Sequence, residues 1–241
     1  MNTIKLTRKT AKIIAHRGVS GLERENTNAA FIAAGNRSYF GIETDVHLTA
    51  DGEFIIIHDS TTGRVSDVDV NVEEKNLSEL MSVQLNTIEG EAIPTRRDLV
   101  LPSPEEYISI CKKYEKKAVL EIKNLLTSGQ AKKLIDIVDS LDYLENTIFI
   151  SFHWDSLVRV REHLPKQNIQ FLTCEYDDSL IEKLKEYNFD LDIAYNQLTD
   201  SIIDKLHENG IKVNCWTVND LNDGDTLAYN GVDFITTNIL E

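Results

Sequence analysis

Positive charge is the scarce commodity in this 241-residue chain: 25 Lys and Arg stand against 40 Asp and Glu, a formal net charge of -15. That deficit argues against long-range attraction to nucleic acid or to an anionic membrane, and neither is expected as a partner. An anion-binding site here needs locally concentrated positive charge, which a bound divalent cation supplies. Long apolar runs are missing too. No stretch approaches the roughly 18 to 20 apolar residues that span a bilayer. The N-terminal segment Met1–Lys9 is basic, but no apolar signal core follows it. A cytoplasmic location without stable membrane association is therefore expected. Cysteine is sparse: Cys111, Cys174 and Cys215 form no Cys-x-x-Cys pair and cannot all pair with one another. They read as small buried hydrophobes in a reducing compartment. No internal repeat or low-complexity segment is present.

What is present is alternation. Strand-like runs fall at Lys12–Ala15, Gly41–Val46, Phe54–Ile57, Ala118–Ile122, Thr147–Ser151, Ile169–Thr173, Leu191–Ala194, Lys212–Trp216 and Asp233–Thr236. Between them lie stretches with apolar spacing of three and four: Thr27–Asn36, Pro104–Tyr114, Gly129–Ser140, Trp154–Glu162, Ser179–Tyr187, Thr199–Asn209 and Leu221–Tyr229. Asn26 or Thr27 can cap the first helix, and Gly210 and Gly231 stand where left-handed caps belong. Strand-helix alternation over this length points to a (β/α)8 TIM barrel as one domain over residues 1–241. The ninth strand-like run has its own explanation. Asp51-Gly52 is a hairpin signal between Glu43–Leu48 and Phe54–His58. A two-residue turn there pairs Ala50 with Glu53 and sets Asp45 opposite His58, with Glu43, Asp45 and His58 on one face. Residues from about 60 to 103 fit the alternation poorly and read as an insertion over the mouth of the barrel.

The chemistry-bearing residues sit at strand ends. Glu43 and Asp45 are two apart on a strand, so their carboxylates face the same way and invite a cation. Glu121 ends another strand. Three carboxylates without a cysteine cluster suit a hard cation with oxygen ligands, Ca2+ or Mg2+, better than zinc. Lys123 shares the face of Glu121, and Arg17 can make a two-pronged contact with phosphate. Gly18 permits an unusual turn beside it. His16 and His58, each at the end of a strand-like run beside carboxylates, are candidate proton-transfer groups. Asp59 either orients an imidazole or caps a loop. His47, His163 and His207 read as structural. His153 and Trp216 lie at strand ends where a pocket wall is expected, Trp216 against a glycerol moiety.

These residues resemble the glycerophosphodiester phosphodiesterase family. The matching pieces run in order: Ala15–Gly18, Glu25–Thr27, Ile42–Val46, Asp51-Gly52, Ile57–Asp59, Ile93–Thr95, Leu120–Lys123, Ser151-Phe152, Cys215–Asn219 and Phe234–Asn238. The resemblance implies a TIM barrel with a small insertion after the His58 segment. It implies a divalent cation, often calcium or magnesium, on Glu43, Asp45 and Glu121. It implies His16 and His58 as the acid/base pair, with Arg17 and Lys123 on the phosphate. The implied reaction is metal-dependent hydrolysis of a small-molecule glycerophosphodiester to glycerol 3-phosphate and an alcohol, by direct water attack or through a cyclic phosphate. Two departures stand out. Arg24 occupies a position commonly proline in the family, and Arg96–Ser103 follows Ile93–Thr95 where a helix often begins directly. A phospholipase with the same machinery would show an apolar rim or basic membrane-facing patch. A barrel that binds without turnover is argued against by the retention of both histidines and all three acids.

Overall fold

The structure, a computed structural model, describes residues 2–7 and 10–241. Met1, Arg8 and Lys9 of the basic N-terminal segment lie outside the described residues. Strands β1 (Lys12–Ala15), β2 (Gly41–Leu48), β4 (Lys117–Ile122), β5 (Thr147–Ser151), β6 (Asn168–Thr173), β7 (Asp190–Ala194), β8 (Val213–Trp216) and β9 (Phe234–Thr237) pair in parallel in that order. β9 pairs back onto β1, and β1 onto β2, which closes the ring. The chain folds as a TIM barrel. Helices α1 (Asn28–Gly35), α3 (Pro104–Lys113), α4 (Ser128–Ser140), α5 (Trp154–His163), α6 (Leu180–Tyr187), α7 (Asp200–Glu208) and α8 (Leu221–Tyr229) alternate with the barrel strands. The short α2 (Leu77–Leu80) lies within the insertion.

Local chemistry fixes the boundaries. Thr27 caps α1 by accepting from Ala30 N–H. Ser103 and Glu106 form a capping box at α3, with Pro104 in its first turn. Gly210 and Gly231 adopt positive φ after α7 and α8. Along each strand the side chains alternate between two apolar regions. Ala15, Ile42, Leu120, Phe149, Leu191 and Cys215 face out and pack under the helices. Ile14, Val119, Ile148, Ile150, Leu172 and Phe234 face in and fill the barrel. Each fully buried aliphatic side chain contributes about 1.5–3 kcal/mol. Of the three cysteines, Cys111 and Cys215 are buried as expected, but Cys174 is exposed.

β3 (Phe54–Ile56) runs antiparallel to β2 as a ribbon, but not in the expected register. Leu48 pairs with Phe54, His47 with Ile55 and Val46 with Ile56. Thr49 N–H donates to Glu53 C=O at 2.9 Å, so the turn holds Ala50, Asp51 and Gly52, three residues rather than two. Ala50 is drawn out of the ladder because its N–H donates to Lys75 C=O. The Thr49 hydroxyl also bonds Asp51 and receives the Glu53 N–H. The extra turn residue shifts the pairing by one. Asp45 therefore stands opposite Ile57, whose N–H it holds at 3.1 Å, and not opposite His58. β3 stops at Ile56, and His58, two residues beyond it, lines the cavity at the mouth.

From Ile57 to Leu101 the chain builds a second apolar cluster of its own, with Val65, Val72, Leu80, Leu85, Leu99 and Leu101 packed on Ile55 of β3. Ladder pairing there is reduced to isolated bridges, Thr61 with Asn71 and Gln84 with Val100.

Candidate active site

The inward alternation of β1, β2 and β4 brings the predicted residues to one rim. Continuing β1 inward past Ile14 gives His16. β2 presents Glu43 and Asp45, and β4 presents Glu121 and then Lys123. Carboxylate oxygens of Glu43, Asp45 and Glu121 lie within 4.8 Å of one another, and all three residues are buried. A cavity of about 420 Å³ opens above them. One wall is His16, Arg17, Glu43, His58 and Glu121; the opposite wall is Ile150, Phe152, Leu172, Asp192 and Trp216. No residue of the 60–103 insertion lines it.

The carboxylates are placed under strong mutual stress. Burial, then the neighbouring Asp45 and Glu121, push the Glu43 carboxyl well above the usual range. Burial and Asp45 push Glu121 up to about 8. Asp45 is buried as well, but Lys123 and Arg17 hold its carboxyl well below the usual range. Lys123 Nζ donates to Glu121 Oε1 at 2.7 Å and stands 3.4 Å from Asp45 Oδ1. Asn26 Nδ2 donates to Asp45 Oδ2 at 2.8 Å, and the Arg17 backbone N–H donates to Glu43 Oε2 at 2.7 Å. Asp45 Oδ1 has no hydrogen bond of its own. Three buried, convergent carboxylates, two of them resisting ionisation for want of positive charge, fit a hard divalent cation.

The backbone is bent to make this possible. Arg17 sits at φ 55° and Gly18 at φ 75°. A Cβ on Gly18 would meet Ala30 Cβ at 2.6 Å, so α1 packs against the turn where only glycine fits.

Each histidine is held through Nδ1. His16 Nδ1–H donates to Asn238 Oδ1 at 2.7 Å, which also accepts from Ser20 Oγ. Burial, then Arg17, lowers the His16 pKa to about 4, so its ring is neutral near pH 7. His58 Nδ1 lies 2.6 Å from Asp59 Oδ1. Of the two readings of Asp59, orientation of the imidazole is the one the geometry supports. Burial lowers the His58 pKa as well. His47 Nε2–H donates to the His58 carbonyl at 3.0 Å and so supports the backbone under the second imidazole. His153 turns to the Lys123 carbonyl and is not among the cavity-lining residues, whereas the preceding Phe152 is. Trp216 lines the cavity edge-to-face with Phe152, ring centroids 5.7 Å apart.

Several participants carry no sequence signal of their own. Arg64, from the insertion, grips both oxygens of Glu25 at 2.8 Å and also bonds Asp59. Glu25 in turn accepts from Arg17 Nη1 at 2.9 Å. Burial opposes its ionisation, but Arg64 and Arg17 bring its pKa down to about 2. Arg24, the departure from proline, donates to the Asn86 and Thr87 carbonyls and ties the β1–α1 loop to the insertion. Asp192 is buried on β7, its Oδ1 has no hydrogen-bond partner among the described residues, and burial pushes its carboxyl well above the usual range.

The sequence profile of the glycerophosphoryl diester phosphodiesterase family matches residues 16–241. Among similar proteins is a glycerophosphodiester phosphodiesterase of Caldanaerobacter subterraneus subsp. tengcongensis, 31% identical over 231 residues covering 93% of each chain. A glycerophosphodiester phosphodiesterase of Parabacteroides distasonis is 28% identical, with a TM-score of 0.79 over 96% of this chain and 94% of that one. A phosphodiesterase of Oleispira antarctica, solved with the product sn-glycerol-3-phosphate, shares the fold at TM-score 0.82 and 24% identity, covering 94% of this chain and 92% of that one. On the profile match and the full-length relative, the chain belongs to the glycerophosphoryl diester phosphodiesterase family and is a phosphoric diester hydrolase.

Proposed function

We propose that this chain hydrolyses a glycerophosphodiester to glycerol 3-phosphate and an alcohol, with Ca2+ or Mg2+ held by Glu43, Asp45 and Glu121. The observation that carries the reading is three buried carboxylates within 4.8 Å, facing two imidazoles across one cavity. When bound, the cation supplies positive charge toward the phosphate oxygens, in a protein whose net charge of -15 is otherwise unfavourable to an anionic substrate.

The chain's own residues then divide the work. A cation on the triad would release Lys123 from Glu121 and Asp45 to hold the phosphate, and Arg17, anchored by Glu25, keeps its remaining N–H groups for the same task. With both Nδ1 positions fixed, His16 and His58 each have Nε2 for proton transfer. His16, bonded to an amide and neutral, is the base that takes the proton of the attacking hydroxyl group. His58, held at Nδ1 by Asp59, which opposes the burial that lowers its pKa, is the acid that protonates the leaving alkoxide. One P–O bond forms to the attacking oxygen and one breaks to the alcohol; His16 gains a proton, His58 loses one, and exchange with water restores both. Where the attacking hydroxyl is the glycerol's own, water then opens the cyclic phosphate to glycerol 3-phosphate. Trp216 and Phe152 wall the organic part of the substrate. The 60–103 insertion belongs to the same domain, positioning Glu25 and Asp59 through Arg64. The substrate is a water-soluble diester met in the cytoplasm; among the described residues no helix is long and apolar enough to cross a membrane.

The test is release of glycerol 3-phosphate from glycerophosphocholine and glycerophosphoethanolamine, with calcium, magnesium or chelator. Release with metal and none with chelator is expected. No release under any metal condition overturns the reading.

A further inference from the structure

The apolar wall of the cavity contains two polar atoms with nothing to bond. Asp192 Oδ1 and Trp216 Nε1 are both buried, and neither has a hydrogen-bond partner among the described residues. Asp192 as a whole is 1% exposed. Both residues line the same cavity. The strand register makes them neighbours: Asp192 pairs with Asn214, and Ala194 with Trp216, so Trp216 stands one inward step above Asn214 on the adjoining strand.

The surrounding polar groups have satisfied one another and left Asp192 out. Asn214 Nδ2 donates to Gln170 Oε1 at 3.0 Å, and Asn214 Oδ1 accepts from Thr236 Oγ1 at 3.1 Å. Among the described residues the charged influence on Asp192 is Glu121, of like sign. A leucine would sit in this wall at less cost than an unpartnered carboxyl.

The two orphans are complementary. An indole N–H only donates, and a carboxyl oxygen accepts. A hydroxyl is the simple group that accepts from the first while donating to the second. An ammonium or quaternary ammonium has no acceptor and leaves the indole unsatisfied. A phosphate belongs to the opposite wall, where Arg17, Lys123 and the acidic triad stand. On the opposite wall stand the acidic triad and the two imidazoles, so a ligand reacting there extends its organic end toward β7 and β8.

We propose that Asp192 and Trp216 Nε1 form a hydroxyl-binding subsite that engages a free hydroxyl of the glycerol moiety and makes the enzyme selective for polyol phosphodiesters. The inference rests on the glycerophosphodiesterase reading above and adds to it the residue that recognises the alcohol.

The experiment compares kcat/KM on glycerophosphoethanolamine with kcat/KM on methyl p-nitrophenyl phosphate, a diester without a free hydroxyl. In Asp192→Leu the ratio of the two is expected to fall about 10- to 100-fold, the worth of one buried hydrogen bond to a charged or strongly polar partner, with KM carrying most of the change. Asp192→Asn keeps an acceptor and recovers most of the ratio. Trp216→Phe keeps the ring, loses the N–H, and lowers the ratio less. An equal fall on both diesters, or an unchanged ratio, overturns the subsite. If the wild type releases no glycerol 3-phosphate, the reaction assigned above fails, and calorimetric binding of glycerol 3-phosphate decides the subsite by itself. Tighter binding to wild type than to Asp192→Leu and Trp216→Phe supports it; equal or absent binding overturns it.

Discussion

On the β1, β2 and β4 side of the barrel mouth, nearly every charged group is tied to another. Arg17 bonds Glu25, Glu25 bonds Arg64, Arg64 bonds Asp59, and Asp59 holds His58. On the β5 to β8 side the wall is Ile150, Phe152, Leu172 and Trp216, and Asp192 Oδ1 and Trp216 Nε1 lack partners among the described residues. The first half carries most of its bonds already, Asp45 Oδ1 and Arg17 Nε excepted; the second, on the subsite proposed above, would complete its bonding with a ligand. Preorganised charge favours chemistry, because no reorientation is needed as charge develops. Unsatisfied atoms in an apolar wall favour discrimination, because a ligand lacking the matching group leaves them unpaired.

The contrast is open to attack, most strongly at the imidazoles. His16→Ala or His58→Ala should lower kcat by about 10²–10⁴-fold with little change in KM. Full activity in both variants would remove them from the reaction. Glu43→Ala should abolish saturable calcium binding in a calorimetric titration while the barrel still melts cooperatively. Retained calcium affinity would detach the triad from the cation. One step further out, Asp59→Asn and Arg64→Ala each remove a charge-assisted bond behind His58, and kcat should fall about 10-fold. If either leaves kcat unchanged, the network supports the loop and not the imidazole. Gly18→Ala should lower stability by about 1–3 kcal/mol in denaturant titration, since the turn has no room for Cβ.

The smallest effect contrasts one group from each half, His16 and Asp192. His16 has its folded pKa lowered to about 4 from 6.5. The unfolded chain therefore binds the proton first as pH falls, and stability drops between about pH 6.5 and 4. Asp192 has its carboxyl raised, so the folded state keeps the proton longer, and stability is lost as pH rises above the ordinary aspartate range. Melts of metal-free protein should show His16→Phe losing less stability than wild type on acidification, by about 1–2 kcal/mol. Asp192→Leu should instead gain on wild type toward neutral pH. Parallel curves in either pair would show that the two groups do not titrate as their surroundings dictate.

Much of the fold is written locally. The barrel strands fall within a residue or two of their apolar runs, because inward and outward positions alternate and both faces are buried. The triad was legible for the same reason: Glu43 and Asp45 share a face by spacing alone. The ribbon register was not. Asp51-Gly52 suggests a two-residue turn, but the turn is set by the Thr49 hydroxyl and by Lys75, which takes Ala50 out of the ladder. The insertion has little hydropathic period because side chains replace ladder bonds. The Gln84 amide alone donates to the carbonyls of Leu85, Arg96 and Leu99. Arg64 and Asp192 are unremarkable in sequence. What distinguishes one is the carboxylates it meets and the other the absence of any partner, and both are properties of the assembled barrel.

The bond between His16 and Asn238 spans 222 positions of the chain. During synthesis His16 leaves the ribosome 222 residues ahead of Asn238, with its ring free to flip and take either tautomer. Its partner emerges only when β9 is made and slots between β8 and β1. A nascent chain therefore carries both imidazoles and all three carboxylates long before it carries an active site. Ring closure of the barrel and the fixing of the His16 ring are a single event.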